Sequence, residues 1–314
     1  MKRLAVAAVA GVLLLAACGD DTEESPATEA PATTAAAADT TAAAADTTAA
    51  AADTTAAAGG DASEAAACAA GKTLEDGTLT IATGDPAFPP YVIDDDPASG
   101  QGFESAVAMA VAKEMGFEGD AVTWIRTAFD AAIAPGPKDF DFNLQQYTIT
   151  DERAQVVDFS EGYYTAPQAV FGLADGAAAE VKTIADLKPL KFGVAAGTTS
   201  ITYVEETIQP DQDVYIFPDN AAAKTALESG QIDAIVSDLP TALYITAVEI
   251  EGTKVYGQIE GSGTDEFGLL LAKDSPLTEC VNLALDSLKA SGELDQITTQ
   301  WMSEYTEAPV ISAE

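Results

Sequence analysis

Arginine is scarce in this chain, and the position of one arginine makes it the first candidate for chemistry. Beyond the N-terminal segment only Arg126 and Arg153 occur. Arg153 closes the stretch Thr148-Ile149-Thr150-Asp151-Glu152-Arg153, and Asp158-Phe159-Ser160 lies a few residues on. Thr150 reads as a helix N-cap, with Asp151 and Glu152 as the favourable acids of a first turn. Arg153 then falls at the third helical position, where a cation opposes the helix dipole at a cost of about 0.3–1 kcal/mol. Two readings account for it. A bound anion would draw together free N–H groups, the positive dipole end and the guanidinium fork. Alternatively, Arg153 pairs on the surface with Asp151, Glu152 or Asp158. The local sequence leaves the two level.

Much other chemistry is excluded. The chain has no histidine, which removes Ser-His-Asp and Cys-His catalysis and any histidine-ligated metal. Its three cysteines are scattered, so a cysteine-cluster metal site is excluded as well, and no cofactor is expected. Gly71-Lys72-Thr73 imitates the end of a phosphate-binding loop, but the earlier glycine that motif needs is replaced by Ala66. Gly261-Ser262-Gly263 lacks the third glycine of a dinucleotide fingerprint, where Glu266 stands. A formal charge of −37, from 51 acids against 14 bases, argues against nucleic acid and against adsorption to anionic lipid. It favours a soluble, self-repelling surface, and a monomer is expected.

The elements that must position Arg153 begin at Leu79. Leu79–Thr83 reads as a short buried strand, and after it comes a proline-stiffened loop, Gly84-Asp85-Pro86-Ala87-Phe88-Pro89-Pro90-Tyr91. Ser105–Met115 is an Ala-rich helix closed by Gly116. Val122–Ile125 and Phe140–Leu144 read as strands, and Phe129-Asp130 opens a brief helical turn that Pro135-Gly136-Pro137 ends. The same grammar repeats beyond Arg153. Lys191–Ala195, Val214–Phe217, Ile232–Val236 and Glu266–Ala272 read as strands. They alternate with helices over Asn220–Gly230 and Leu277–Ala290, and a last helix over Leu294–Tyr305 is anchored by Trp301. Helices alternating with short apolar strands specify an α/β fold, here as two units of roughly 100 residues.

Ahead of this lies a targeting segment. Lys2 and Arg3 precede the apolar run Leu4–Ala17, which is short for a membrane span and ends Leu15-Ala16-Ala17-Cys18. This resembles a bacterial lipoprotein signal, with Cys18 lipidated; a plain signal peptide cut near Ala17 is the alternative. From Gly19 to about Ala70 the chain is low in complexity. The unit Thr33-Thr34-Ala35-Ala36-Ala37-Ala38-Asp39 recurs to Asp46 and to Asp53. It has no large apolar residue for a coiled-coil seam, so a disordered tether is expected.

Taken in order, the blocks from Leu79 to about Tyr305 resemble the extracytoplasmic solute-binding proteins of polar-amino-acid ABC transporters, bacterial solute-binding protein family 3, in lipoprotein form. The matching blocks include Phe88-Pro89-Pro90-Tyr91, Gly102-Phe103-Glu104, Phe129-Asp130 and Thr148–Arg153. Further along, Asp158-Phe159-Ser160, Gly197-Thr198-Thr199, Leu227–Ala234 and Gly292-Glu293-Leu294-Asp295 match as well. The resemblance implies a two-lobed periplasmic-binding-protein fold, two α/β lobes joined by two hinge strands with the ligand between them. The expected division is a signal peptide over 1–17, lipidated cysteine and tether over 18–70, lobe 1 over 71–166 and 262–307, lobe 2 over 167–261, and a tail over 308–314. The crossings fall near Thr165–Ala169 and Gln258–Gly263.

On this resemblance the ligand's carboxylate goes to Arg153, Thr148, Thr198 and Thr199. Its ammonium goes to Asp238, which otherwise reads as a helix N-cap before Leu239-Pro240. Phe88 and Phe129 bound the ligand side chain. Asp85 either meets the end of that side chain or caps its own loop. Gln146 stands where the family usually has a small or hydroxyl residue, so it bears on the same subsite. Arg126 either receives an acidic ligand side chain or, the preferred reading, pairs with a surface acid. Cys68 and Cys280 would both belong to lobe 1, and a bridge between them is predicted over two free buried thiols. The implied function is an exported receptor, lipid-anchored to the outer face of the cell membrane. It would bind a free amino acid and deliver it to an ABC transporter permease, with no catalysis. A dehydratase-like enzyme on the same scaffold, using Glu104 or Asp85, is one alternative, and a ligand sensor for a membrane receptor is another.

Overall fold

The computed structural model describes residues 63–313; the signal segment, Cys18 and the Ala/Thr repeats lie outside them. Two mixed sheets organise the described chain. In chain order the strands are β1 (Leu79–Gly84), β2 (Val122–Thr127), β3 (Phe142–Asn143), β4 (Val157–Ala166), β5 (Gln168–Leu173) and β6 (Phe192–Ala195). Then come β7 (Tyr215–Phe217), β8 (Ala234–Asp238), β9 (Thr253–Ile259), β10 (Asp265–Ala272) and β11 (Val310–Ile311). The first sheet has the order β2-β1-β3-β10-β4, the second β11-β9-β5-β8-β6-β7. Within the first, β1, β2 and β3 run parallel while β10 pairs antiparallel with β3 and β4. The chain therefore leaves the first lobe at Ala166, enters the second at Gln168, and returns between Ile259 and Asp265.

Period-two alternation sends neighbouring residues of one strand into different cores. Ile81 packs into the larger core of lobe 1 and Ala82 into the smaller one on the other face. In lobe 2, Val170, Ala234 and Val236 face one core while Ala169, Phe171 and Ile235 face the other. Helix α1 (Glu64–Ala69) opens the described chain and α2 (Phe103–Glu114) covers the large core of lobe 1. Next come α3 (Phe129–Ile133), α4 (Ile184–Leu187), α5 (Ser200–Thr202), α6 (Asn220–Glu228) and α7 (Leu239–Tyr244). Helices α8 (Thr278–Ser291) and α9 (Glu293–Met302) return to lobe 1, where Trp301 packs against the large core.

Three expectations need correction. Residues 64–69 are not tether: Ser63 caps α1, Ala65 and Ala69 are buried, and Cys68 is joined to Cys280 of α8. Alanine repeats hide this helix, because its burial depends on the α8 surface and the crosslink rather than on large apolar side chains. Residues 308–314 are not a bare tail: β11 pairs in parallel with β9 as the edge strand of the second sheet. The strand expected over Phe140–Leu144 narrows to Phe142–Asn143.

One local device fixes the proline loop. The amides of Phe103 and Glu104 donate to the carbonyls of Pro90 and Tyr91 at 2.8 and 3.0 Å, so the loop itself satisfies the first turn of α2. This needs glycine at 102. Its φ is +102°, and a Cβ there would collide with the Tyr91 carbonyl.

Candidate functional site

Arg153 does not open a helix. Thr150 caps as expected, its Oγ1 accepting from the Arg153 amide at 3.2 Å, but the capped segment is a single 3-10 turn, Arg153–Gln155. β4 starts at Val157 and leaves no room for more. The surface-pairing reading fails as well. Arg153 is 7% exposed, and Asp158 pairs with Lys273 at 3.0 Å. The guanidinium instead reaches across between the lobes. Nη1 donates to the Thr148 carbonyl at 2.6 Å, and Nη2 donates to the Gly197 carbonyl of lobe 2 at 2.8 Å. The cation also lies 5.5 Å from the centre of the Phe129 ring, within range of a cation–π contact. Burial lowers its pKa, opposed first by the charge of Asp238.

Two further contacts join the lobes at this place. Thr148 Oγ1 and Thr199 Oγ1 are 3.5 Å apart, and the Tyr91 hydroxyl lies 3.3 Å from Thr241 Oγ1. The turn that carries Thr198 and Thr199 is shaped by Gly197 at φ +73° and by the Thr198 hydroxyl, which donates to the Ala195 carbonyl at 2.8 Å. Thr198 thus spends its hydroxyl locally, while Thr199 faces lobe 1.

Asp238 ends β8 and precedes α7, yet its side chain does not cap that helix. It accepts from Gln168 Nε2 at 2.7 Å. Burial, and next the charge of Asp265, push its carboxyl up to about 7, while Gln168 and Arg153 pull the other way. Asp265, the first residue of β10, is 7% exposed and accepts from the Tyr203 hydroxyl at 2.9 Å, from the Thr199 hydroxyl at 3.1 Å and from Gln168 Nε2 at 3.3 Å. Gln168 completes the network by accepting from Ser200 at 2.7 Å.

Around this centre the remaining predicted residues divide. Phe129 stacks on Tyr147 with ring centres 4.8 Å apart and so flanks Arg153. Phe88 is partly buried and meets Tyr91 edge-on at 5.7 Å. Asp85 is exposed and does not cap its loop; Asp95 does, accepting from the Ala87 amide at 2.9 Å. Gln146, at φ +51°, turns both its amide and its side chain to Glu104, at 2.7 and 2.5 Å. Glu104 also accepts from the Tyr163 hydroxyl at 2.5 Å, yet burial outweighs these bonds and holds its carboxyl up at about 7. Arg126 pairs with Asp95 at 2.6 Å and donates to the Gly84 carbonyl at 2.7 Å, which ties it to the outside of the loop.

Sequence reasoning missed Asp265, Gln168, Tyr91 and Tyr203. The signal for Asp265 was available. In Asp265-Glu266-Phe267 the burial alternates, so an acid two residues before a core phenylalanine points inward. Gln168 carried no such signal, since its role depends on where the chain crosses between sheets. As built, the arrangement offers a cation and hydroxyls for a carboxylate, a carboxylate pair for a cation, and contributions from both lobes. Among the described residues no group of histidine, cysteine, aspartate or glutamate could hold a metal ion, and no helix is long and apolar enough to cross a membrane.

Comparison with known proteins is in keeping with this architecture. Residues 79–304 match the family model of bacterial extracellular solute-binding proteins, family 3. The L-arginine-binding protein of Pseudomonas aeruginosa is 30% identical over 226 residues, which cover 69% of this chain and 85% of that protein. The ABC transporter glutamine-binding protein GlnH of Bacillus subtilis is 32% identical over 215 residues, which cover 67% and 76%. Among solved structures, an ancestral arginine-binding protein bound to glutamine is 33% identical with a TM-score of 0.62, and the match covers 72% of this chain and 98% of that one.

Proposed function

The chain belongs to the bacterial extracellular solute-binding proteins, family 3, and on that premise we propose that it captures a free amino acid between its lobes and delivers it to an ABC importer. The observation that carries this reading is the convergence of Arg153 and Thr148 from lobe 1 on Gly197 and Thr199 from lobe 2. A carboxylate received there touches both lobes, so its binding energy favours the closed arrangement. Arg153 with Thr148, Thr198 and Thr199 takes the carboxylate, and Asp238 takes the ammonium. Phe88 and Phe129 bound the side chain, with Asp85 at the open end. Gln146 acts indirectly, by holding Glu104. The lobes correspond to 63–166 with 265–307, and to 168–259 with the β11 strand. Export with a lipid anchor on Cys18 would keep the receptor beside its permease as a monomer.

An enzymatic reading needs a carboxylic acid free to move a proton. Glu104 is poised near neutrality but is committed to Gln146 and Tyr163, so binding without chemistry is better supported. The test is a thermal-shift panel of the twenty common L-amino acids. A ligand at 100 times its Kd adds about 2.7 kcal/mol of stability, and recovery of the unchanged ligand separates binding from turnover. A panel with no shift at millimolar ligand refutes the reading.

A further inference from the structure

Two buried acids in the cleft compete for one amide. Gln168 Nε2 lies 2.7 Å from Asp238 Oδ1 and 3.3 Å from Asp265 Oδ2, so the two carboxyl groups converge on a single donor. Their other partners are unequal. Asp265 also accepts from the hydroxyls of Tyr203 and Thr199, whereas Gln168 is the hydrogen-bond partner found for Asp238 among the described residues. Three donors stabilise an anion better than one. The negative charge therefore settles on Asp265, and its field opposes a second charge on Asp238.

We propose that Asp265 is a further affinity-determining residue of this site: with Asp238 it forms a carboxyl pair that carries one proton, and the ammonium group of the amino acid takes that proton's place. The inference rests on the amino-acid-binding reading given above. On binding, the proton passes from Asp238 to solvent, the ligand keeps its ammonium charge, and the buried pair exchanges one positive charge for another. Asp265 acts through Asp238 and is in that sense a positioning residue, coupled through Thr199 and Ser200 to the lobe-2 turn on the carboxylate side of the site.

The charged and titratable groups around Asp238 agree with this. Arg153 faces it from the turn before β4 and favours its ionised form, while Glu104 at the start of α2 opposes it. Tyr91, Tyr164 and Tyr203 each feel its charge, and burial raises all three, so they stay neutral near pH 7. With burial and Asp265 together, Asp238 titrates at about 7. The protein therefore holds more protons before binding than after it, and affinity rises with pH through this range.

The experiment is isothermal titration calorimetry of the intact mature protein in phosphate and in Tris, which differ in ionisation enthalpy. The probes are those of the twenty L-amino acids that bind and whose side chains do not titrate between pH 6 and 8. Wild type is expected to release nearly one proton per ligand at pH 6 and almost none at pH 8. Its affinity is expected to be about tenfold weaker at pH 6 than at pH 8. D265N keeps a side-chain acceptor but removes the charge, and both effects should nearly vanish. Binding without proton release in wild type overturns the inference and leaves the amino-acid reading standing, and this measurement needs no variant. Full proton release in D265N overturns it too. No binding by any amino acid defeats both.

Discussion

Replacing Arg153 by methionine separates its two duties. Methionine keeps most of the side-chain volume over Phe129 and removes the fork. Two carbonyls, Thr148 and Gly197, lose charged donors at 2.6 and 2.8 Å, at about 1.5–3 kcal/mol each. Against this, a guanidinium that is 7% exposed no longer has to be buried, which recovers several kcal/mol. The two terms nearly offset, so unfolding by urea should change by no more than about 2 kcal/mol. Ligand affinity has no such compensation, because the carboxylate is left in the cleft without its cation. That loss is about 3–5 kcal/mol, or roughly 150- to 5000-fold in Kd, and it should appear in dissociation more than in association. Arg153→Lys should fall between, since a point charge cannot hold both carbonyls and a carboxylate. Calorimetry on the tightest amino acid of the panel, with urea melts on the same samples, gives both numbers. A Kd within tenfold of wild type beside a collapse of stability would refute the reasoning, because Arg153 would then be a strut between lobes and not an anion site.

Separate features of the fold lead to other outcomes. The Cys68–Cys280 bridge closes a sequence separation of 212 residues and staples α1 to α8. Changing both cysteines to serine should cost about 2–5 kcal/mol in urea unfolding; a cost below about 1 kcal/mol would mean that packing alone holds α1. Glu104 has its folded pKa raised from 4.5 to about 7. The stability it contributes is therefore full below 4.5 and lost as pH rises to 7. Between pH 5 and 8 that amounts to about 2.5 kcal/mol, so E104Q should show a flatter stability profile than wild type by that amount. An unchanged profile would show that Glu104 is ionised throughout.

Much of the fold is visible in pattern alone, for local reasons. Short apolar runs bounded by glycine and proline make β1, β6 and β8 recognisable, and Asn220–Glu228 carries its own capping aspartate, Asp219, bonded to the Ala222 amide at 2.8 Å. Helix α1 and strand β11 are not visible, because each acquires its structure from a distant partner, α8 through a disulfide and β9 through a ladder. The helix expected after Thr150 fails for a related reason: its capping residues are present, but β4 claims the residues that would lengthen it.

Composition by itself excluded histidine chemistry, cysteine-metal centres and nucleic-acid partners, because those functions require residue types or charges the chain lacks. It also marked Arg153 as a cation that local structure alone does not explain. Tertiary structure decided where that cation goes. The surface acids near Arg153 in sequence are not its partners; a carbonyl 44 residues away in the other lobe is. It likewise decided that Asp238 serves a carboxyl pair and not a helix cap. A side chain's charge and reach are written in its identity, whereas its burial and its partners depend on two lobes brought face to face by crossings at Ala166–Gln168 and Ile259–Asp265. Local pattern carries no information about that encounter.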